Sequence, residues 1–159
     1  MTQQELNEKL AAVESGPSRI AAAVAGLDDA ALRFKPAPGK WCILEILGHL
    51  ADIEVLYGYR MRQMMADKEP VIAPIDQDDW ARHLGYLDAT PSELLEAYQA
   101  ARRANLRLLR RLQPADLEKG AFHPERGSKV ALEELLGMMA GHDPNHLSQI
   151  ERLKQQAKG

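Results

Sequence analysis

Apolar residues recur at the three- and four-residue spacing of an α-helix over four long stretches of the chain. We expect helices over 2–26, 42–67 and 90–112, and a last helix that opens at Ser128 or a neighbour and continues past Leu153. The clearest stripe lies in the second stretch and consists of Ile43, Ile46, Leu47, Leu50, Ile53 and Tyr57. Because each helix has one apolar face, the pattern predicts an all-α, up-down four-helix bundle with long connectors, in a single domain over 1–159.

Proline and glycine mark the interruptions in this pattern. Gly16 and Pro17 fall inside the first helix, so either the helix kinks there or two shorter helices meet. The segment 68–90 is broken by Pro70 and Pro74. A connection of this length is unusual in a compact domain, and both a lid over a site and a plain crossover remain open.

The sequence also predicts how two helices start, and it predicts no β-strand. Thr90 can cap the third helix, with a proline at the first helical position and Glu93 three residues after the cap. Cys42 and Glu45 occupy the corresponding places before the second helix, although cysteine is a poor cap. A short helix is expected over 78–84. No stretch alternates apolar and polar residues convincingly, so no strand is predicted.

Charge and composition exclude several functional classes. The formal net charge is -3, and the densest basic stretch, Arg102 to Arg111, is interpreted as a solvated helix face, so nucleic-acid binding is not expected. No apolar run approaches the length of a membrane span. The single cysteine, Cys42, excludes an internal disulfide. With a polar N-terminus that does not resemble a signal peptide, these features favour a cytoplasmic location.

Three histidines are the residues most suited to carry chemistry. His142 and His146 are four residues apart, a spacing that places two imidazoles on one helical face, where they can bind one metal ion. Both continue the apolar stripe of the last helix, and His49 lies on the apolar side of the second. Three inward imidazoles from two helices match an open metal site. Ordinary hydrogen-bonded core histidines are the alternative, and spacing alone does not decide between the two.

Other residues around this set are weaker candidates. Pro144 lies between His142 and His146 and cannot donate to the Ala140 carbonyl, so a kink is expected there. His123 and His83 fall in connectors and are not expected to contact the metal. Asp52 and Glu45, each about one helical turn from His49, are candidates to accept a ring N–H. Cys42 is favoured as a buried or capping residue over a reactive thiol.

Two segments carry a resemblance to a known family. The run from Pro38 to Glu54, with Lys40-Trp41 and Gly48-His49-Leu50 followed by Asp52, resembles the first signature of the DinB-like family. The run from Met139 to Ile150, with His142-Asp143 and a second histidine before Gln149-Ile150, is similar to the second signature. The intervening His123-Pro124 and Gly127 also fit, and Arg60 falls where the family often has an arginine. The likeness covers nearly the whole chain, in order, and departs from the pattern at Cys42 and Pro144.

The resemblance implies a four-helix bundle, often a homodimer, and one divalent metal ion held by His49, His142 and His146. Zinc, nickel and iron all suit imidazole ligands, so the metal is not determined. Family members include thiol S-transferases that use bacillithiol or mycothiol, and a maleylpyruvate isomerase. The first hypothesis is therefore an enzyme that transfers a low-molecular-weight thiol to an electrophilic small molecule. The alternatives are a metal-dependent hydrolase and a non-catalytic binding protein that a metal stabilises.

Overall fold

The computed structural model describes residues 1–158 and is almost entirely helical. Six helices and one hairpin are present in these residues: α1 (Gln3–Val24), α2 (Asp29–Arg33), α3 (Ile43–Ala66), α4 (Gln77–His83), α5 (Pro91–Leu109), β1 (Gly120–His123), β2 (Ser128–Ala131) and α6 (Leu132–Gln156). Short 3₁₀ turns cover Tyr86–Asp88 and Pro114–Glu118. The four long helices form a bundle, which confirms the predicted all-α fold class. None of the described helices is long and apolar enough to cross a membrane.

The start of α5 follows the predicted capping pattern. The Thr90 hydroxyl accepts from the Glu93 backbone N–H at 3.3 Å, and Glu93 Oε2 accepts from the Thr90 backbone N–H at 2.8 Å. At the start of α3, Glu45 Oε2 likewise accepts from the backbone N–H of Cys42 at 2.8 Å. These bonds satisfy backbone donors that the first turn of a helix leaves free.

The first helix is continuous through Pro17, which resolves the alternative between a kinked helix and two shorter ones. A proline inside a helix leaves the carbonyl four residues earlier without its usual donor. In α1 that carbonyl belongs to Val13, and the buried guanidinium of Arg102 on α5 donates to it instead. The interruption in the sequence pattern is therefore compensated by a side chain from another helix.

The order of helices around the bundle differs from their order in the sequence. Both α1 and α3 pack against α5 and α6, so α1 and α3 lie diagonally. The N-terminal ends of α1 and α6 meet, where the Met1 amino group lies 3.5 Å from Glu133, and Lys154 donates to the Ala23 carbonyl near their C-terminal ends. These two helices therefore run parallel. The residues that α3 and α5 contribute to the two core clusters show that they also run parallel, antiparallel to the first pair.

This arrangement explains the long segment between α3 and α5. A chain that ends one helix and begins a parallel one must return along the length of the bundle. Val71 pairs with Phe122 of the hairpin near the end of α3, Trp80 lies beside Val55, and Tyr86 packs onto Gly48 near the start of α3. The segment is therefore a crossover between two parallel helices.

The hairpin of β1 and β2 was not predicted. Gly120 to His123 pair antiparallel with Ser128 to Ala131 across a turn that contains Gly127 at a φ of 61°. The strands are four residues long, too short for an alternating pattern to stand out. The prediction that the last helix opens at Ser128 or a neighbour was wrong, because 128–131 forms β2 and α6 begins at Leu132.

Two apolar clusters fill the bundle, one towards each end. The first includes Leu6, Met61, Leu109 and Leu135, and the second includes Ile20, Ile46, Tyr98 and Ile150. On α6, the polar residues His142, Asp143 and His146 lie between the two clusters, whereas on α3 His49 lies among residues of the second cluster. The candidate site lies where these parts of α3 and α6 meet.

Candidate metal centre

The three predicted histidines converge on one point between α3 and α6. His49 Nε2 lies 3.1 Å from His142 Nε2, and His146 Nε2 lies 3.2 Å from the same atom. One ligand atom from each of the three residues falls within 4.8 Å of the other two. The histidines are thus brought together from positions 93 residues apart, and Pro144 does not separate His142 from His146, because α6 is continuous through it.

Burial keeps these imidazoles neutral. Burial, reinforced by the neighbouring His146 and His142, lowers the pKa of His49 to about 3. Burial, followed by the charge of His146, lowers the pKa of His142 to about 4. Burial also lowers the pKa of His146, although its bond to Gln149 opposes the shift. At neutral pH each ring is uncharged and has one nitrogen lone pair, the form in which histidine binds metals.

Neighbouring side chains fix how the rings are turned. Gln149 Oε1 lies 3.0 Å from His146 Nδ1, and since that oxygen only accepts, Nδ1 carries the hydrogen and Nε2 presents its lone pair. The Trp41 ring packs 4.8 Å from the His49 ring, measured between centroids. The Tyr57 ring meets the edge of His142 at 5.7 Å. These contacts limit rotation of each imidazole away from the shared point.

The site borders a cavity of about 250 Å³ at the surface. Its lining includes His146, Gln149 and Trp41 from the site, Lys40 before α3, and Asp78 from α4. The crossover therefore contributes to the surroundings of the histidines as well as connecting two helices. A small molecule entering here would meet groups of both charges before it reached the imidazoles.

Two of the three separations between the imidazole nitrogens match those around a bound metal ion, and the ligand atoms of the third pair lie within 4.8 Å of each other. Two imidazole nitrogens bound to one zinc ion at about 2.1 Å, with angles between about 90° and 109°, lie about 3.0–3.4 Å apart. The separations of 3.1 and 3.2 Å fall within that range. Without an ion, the same separations allow N–H···N hydrogen bonds between the rings, in which the tautomers decide which nitrogen donates. The donor set, three neutral imidazoles with no carboxylate or thiolate among them, suits zinc, nickel or iron.

The other candidates named from the sequence lie outside this group. Asp52 accepts from the Tyr86 hydroxyl at 2.6 Å, and Glu45 binds Lys35 at 2.7 Å, so neither is recorded as a partner of a histidine ring. Cys42 is buried, and burial raises the pKa of its thiol, which fits the favoured structural role. His83 is exposed at the end of α4, and His123 lies at the end of β1.

Sequence reasoning missed a buried charged cluster behind the histidines. Arg102 was assigned to a solvated basic face, and this was wrong, because only 2% of its surface is exposed. We call Glu54, Tyr98, Arg102, Asn105 and Asp143 the Arg102 cluster. One signal was available: Arg102 lies four residues after Tyr98 and four before Leu106, in the apolar stripe of α5.

Fold and site together define a class: a four-helix bundle with a candidate three-histidine metal centre between two of its long helices. The model of the DinB superfamily matches residues 12–150, and the chain belongs to that family. The family predicted from the two signatures is therefore confirmed.

Relatives and solved structures agree with this assignment. A protein of Oceanobacillus iheyensis with the name "Putative metal-dependent hydrolase" is 30% identical over 149 residues, which cover 93% of this chain and 85% of the relative. The YfiT protein of Bacillus subtilis, which has the same description, is 25% identical over 153 residues, covering 96% and 86%. The YfiT structure, described as a probable metal-dependent hydrolase with an unusual four-helix bundle topology, superposes with a TM-score of 0.91 at 24% identity, covering 98% of this chain and 89% of that one.

A more distant fold neighbour has a different activity. The mycothiol-dependent maleylpyruvate isomerase superposes with a TM-score of 0.72 at 16% identity, over 94% of this chain and 63% of that one. At this level of identity the similarity establishes a shared fold alone.

Proposed function

We propose that this protein is a divalent-metal-dependent enzyme that acts on an electrophilic small molecule, with His49, His142 and His146 as the metal ligands. The observation that carries the proposal is the convergence of three neutral imidazoles, one buried and two half-buried, beside a surface cavity. Three protein ligands leave at least one position free for a substrate, as in catalytic rather than structural sites. A bound ion would supply Lewis-acid chemistry, either polarising the electrophile or lowering the pKa of a thiol or water.

The residues of the chain have distinct parts in this proposal. The three histidines bind the ion in their uncharged form, and Gln149 holds His146 in the tautomer that presents Nε2. Trp41 packs against the His49 ring and Tyr57 against the His142 ring, and these contacts support the orientation of the imidazoles. Lys40 and Asp78 line the cavity and are placed to contact polar groups of a substrate.

Two reactions fit this arrangement. Transfer of a low-molecular-weight thiol is the one expected from the sequence, and the shared fold with a mycothiol-dependent isomerase supports it. Hydrolysis is the second candidate, and the names of the relatives at 25–30% identity support it. Both reactions bring a nucleophile to an electrophile at the same site. They differ only in whether the nucleophile is a thiol or water.

Metal content measured by mass spectrometry tests the first part of the proposal. We expect about one divalent ion per chain in the wild type, loss of that ion in His49→Ala, and retention in His83→Ala. His83 is a matched control because it is an exposed histidine outside the group. No bound ion in the wild type after incubation with zinc, nickel or iron(II) would contradict the proposal, as would equal content in the two variants.

An activity screen on the loaded protein then separates the two reactions. Activated esters and electrophiles such as epoxides are offered with and without a panel of low-molecular-weight thiols. Turnover that requires a thiol and yields a thioether supports transfer, whereas thiol-independent release of acid and alcohol supports hydrolysis. Either activity should disappear in His49→Ala and after chelation. Activity that survives complete metal removal would contradict a metal-dependent enzyme.

A further inference from the structure

The Arg102 cluster joins all four long helices at the level of the candidate metal centre. Arg102 Nη2 forms an ion pair with Glu54 Oε2 of α3 at 2.9 Å, and its Nη1 donates to Asp143 Oδ2 of α6 at 2.8 Å. The Val13 carbonyl of α1 accepts from the same guanidinium, which is itself carried by α5. Arg102, Glu54 and Asp143 are each no more than 3% exposed.

The two carboxylates of this cluster accept hydrogen bonds from several residues. Asp143 Oδ1 accepts from the Tyr98 hydroxyl at 2.6 Å and from Arg102 at 3.2 Å. Glu54 Oε1 accepts from the Asn105 amide at 2.8 Å, and the same amide donates to the Glu54 backbone carbonyl. A buried carboxylate with both oxygens bonded has little freedom to move, because any shift leaves a buried donor or acceptor unpaired.

The cluster is adjacent in sequence to the ligands. Asp143 directly follows His142, and Glu54 comes five residues after His49 on the same helix. Arg102 therefore connects the two ligand-bearing helices, although α5 contributes no ligand. Within residues 1–158, the recorded side-chain hydrogen bonds and salt bridges include only one direct link between α3 and α6, the contact between His49 and His142 themselves.

The relative position of α3 and α6 has to be precise. A metal site tolerates deviations of only about 0.2 Å in metal–ligand distance and about 0.5 Å in ligand placement. Apolar packing between helices does not by itself resist a small slide. A guanidinium with fixed donor directions, bonded to a carboxylate on each helix, does resist it.

We propose that Arg102 is a positioning residue that holds His49 and His142 at ligand spacing by bonding Glu54 and Asp143 at the same time. This inference rests on the proposed function only where it concerns metal affinity, because the spacing of the two rings is also a property of the metal-free protein. Arg102 contacts neither the imidazole nitrogens nor the substrate cavity beside His146.

The test compares Arg102→Lys with Arg103→Lys. Lysine keeps the positive charge but offers one compact ammonium in place of the planar fork, so it cannot bond both carboxylates and Val13 together. Arg103 is the exposed neighbour on α5 and serves as a matched control. Zinc dissociation constants are measured by competition with a chromophoric chelator, and the absorption spectrum of the cobalt(II) form reports ligand geometry. Circular dichroism confirms that each variant is folded.

We expect zinc to bind at least about 10-fold more weakly to Arg102→Lys, the range found when groups that orient metal ligands are removed. The cobalt spectrum should change in the same variant, and Arg103→Lys should match the wild type. A folded Arg102→Lys protein with wild-type zinc affinity and an unchanged cobalt spectrum would overturn the proposal. If Arg102→Lys does not fold, Glu54→Gln is judged by the same two measurements, since it removes one of the two carboxylates and keeps the side-chain shape.

A second measurement separates this inference from the proposed function. Imidazole ¹⁵N shifts of the metal-free protein report the surroundings of each ring without any ion. We expect the His49 and His142 shifts to differ from wild type in Arg102→Lys and to be unchanged in Arg103→Lys. If the wild type binds no metal, the proposed function fails, and these shifts alone decide whether Arg102 positions the rings. Unchanged shifts in Arg102→Lys would overturn the inference.

Discussion

Substitution of Gly16 by alanine should destabilise the protein, although the same change usually stabilises a helix. Gly16 lies inside α1, where it is buried against the Arg102 cluster. A Cβ atom built on it would lie 1.7 Å from Asp143 Oδ2 and 3.1 Å from Arg102 Nη1. No side-chain contact exists at such a distance, so the carboxylate has to move. A Cβ at this position also meets the ring of the following residue, Pro17.

The magnitude follows from opposing contributions. Alanine in place of glycine gains about 1 kcal/mol of helix propensity. Forcing an extra methyl group into a packed interior costs about 1–3 kcal/mol. Displacing the Asp143 carboxylate without removing it adds about 2 kcal/mol, less than the cost of about 3–5 kcal/mol for losing one partner of a buried ion pair. We expect a net loss of about 2–4 kcal/mol in the free energy of unfolding. For a domain of this size the loss corresponds to a decrease in Tm of about 5–15 °C.

The assay is urea unfolding followed by circular dichroism, with Gly141→Ala as the control. Gly141 also lies inside a long helix, and a Cβ built there meets nothing within 4 Å. Gly141→Ala should therefore stabilise the protein by up to about 1 kcal/mol. Opposite signs for the two substitutions are the expected result. A Gly16→Ala protein as stable as wild type would refute the reasoning, because the Asp143 carboxylate would then be free to move at little cost.

Two further predictions concern the histidines and the crossover. The folded-state pKa values of His49 and His142 lie near 3 and 4, below the ordinary value of 6.5. The unfolded chain therefore binds protons first, and the metal-free protein should lose stability as the pH falls from about 6.5 towards 4. The loss is up to about 1.4 kcal/mol per pH unit for each histidine. Urea titrations at several pH values measure this slope, which should be shallower in His49→Ala. If His49→Ala had the same slope as the wild type, burial would not lower the pKa of His49 as described. Gly48→Ala places a Cβ 2.3 Å from Tyr86 Cγ, so it should cost about 1–3 kcal/mol and speed hydrogen exchange over 77–88. Tyr86→Phe loses only the hydrogen bond to Asp52, so it should cost about 1 kcal/mol and leave hydrogen exchange over 77–88 unchanged. Equal exchange rates in Gly48→Ala and Tyr86→Phe would contradict the close contact between Gly48 and the Tyr86 ring.

The four long helices were predictable because each has its own local signals, whereas the short α2 was not predicted. The α3 stripe and the Thr90 cap depend on residues a few positions apart, and both predictions were confirmed. The meeting of the three histidines was also within reach, because all of them follow the inward side of their helices. The β1–β2 hairpin was not predictable in the same way, since four-residue strands are too short to show a period.

What the sequence could not indicate was the arrangement of the helices and its consequences. Nothing local shows that α5 runs parallel to α3, so the length of 68–90 had no evident cause. The role of Arg102 depends on that arrangement, because only the packed bundle places Glu54 and Asp143 on either side of it. An arginine within a run of arginines is usually solvated, and the exception becomes visible only when its partners from distant helices are in place.

The parallel pairing of α1 with α6 also has a consequence for synthesis of the chain on the ribosome. Until α6 has emerged, α1 lacks one of its two neighbours, Arg102 has one carboxylate partner, and His49 is a lone imidazole. In simpler bundles, hairpins of consecutive antiparallel helices form early. Such a hairpin cannot make the contact between His49 and His142 or the contact between Val13 and Arg102, because each contact spans about 90 residues. The three-histidine group and the Asp143 half of the Arg102 cluster can therefore form only when the last helix docks.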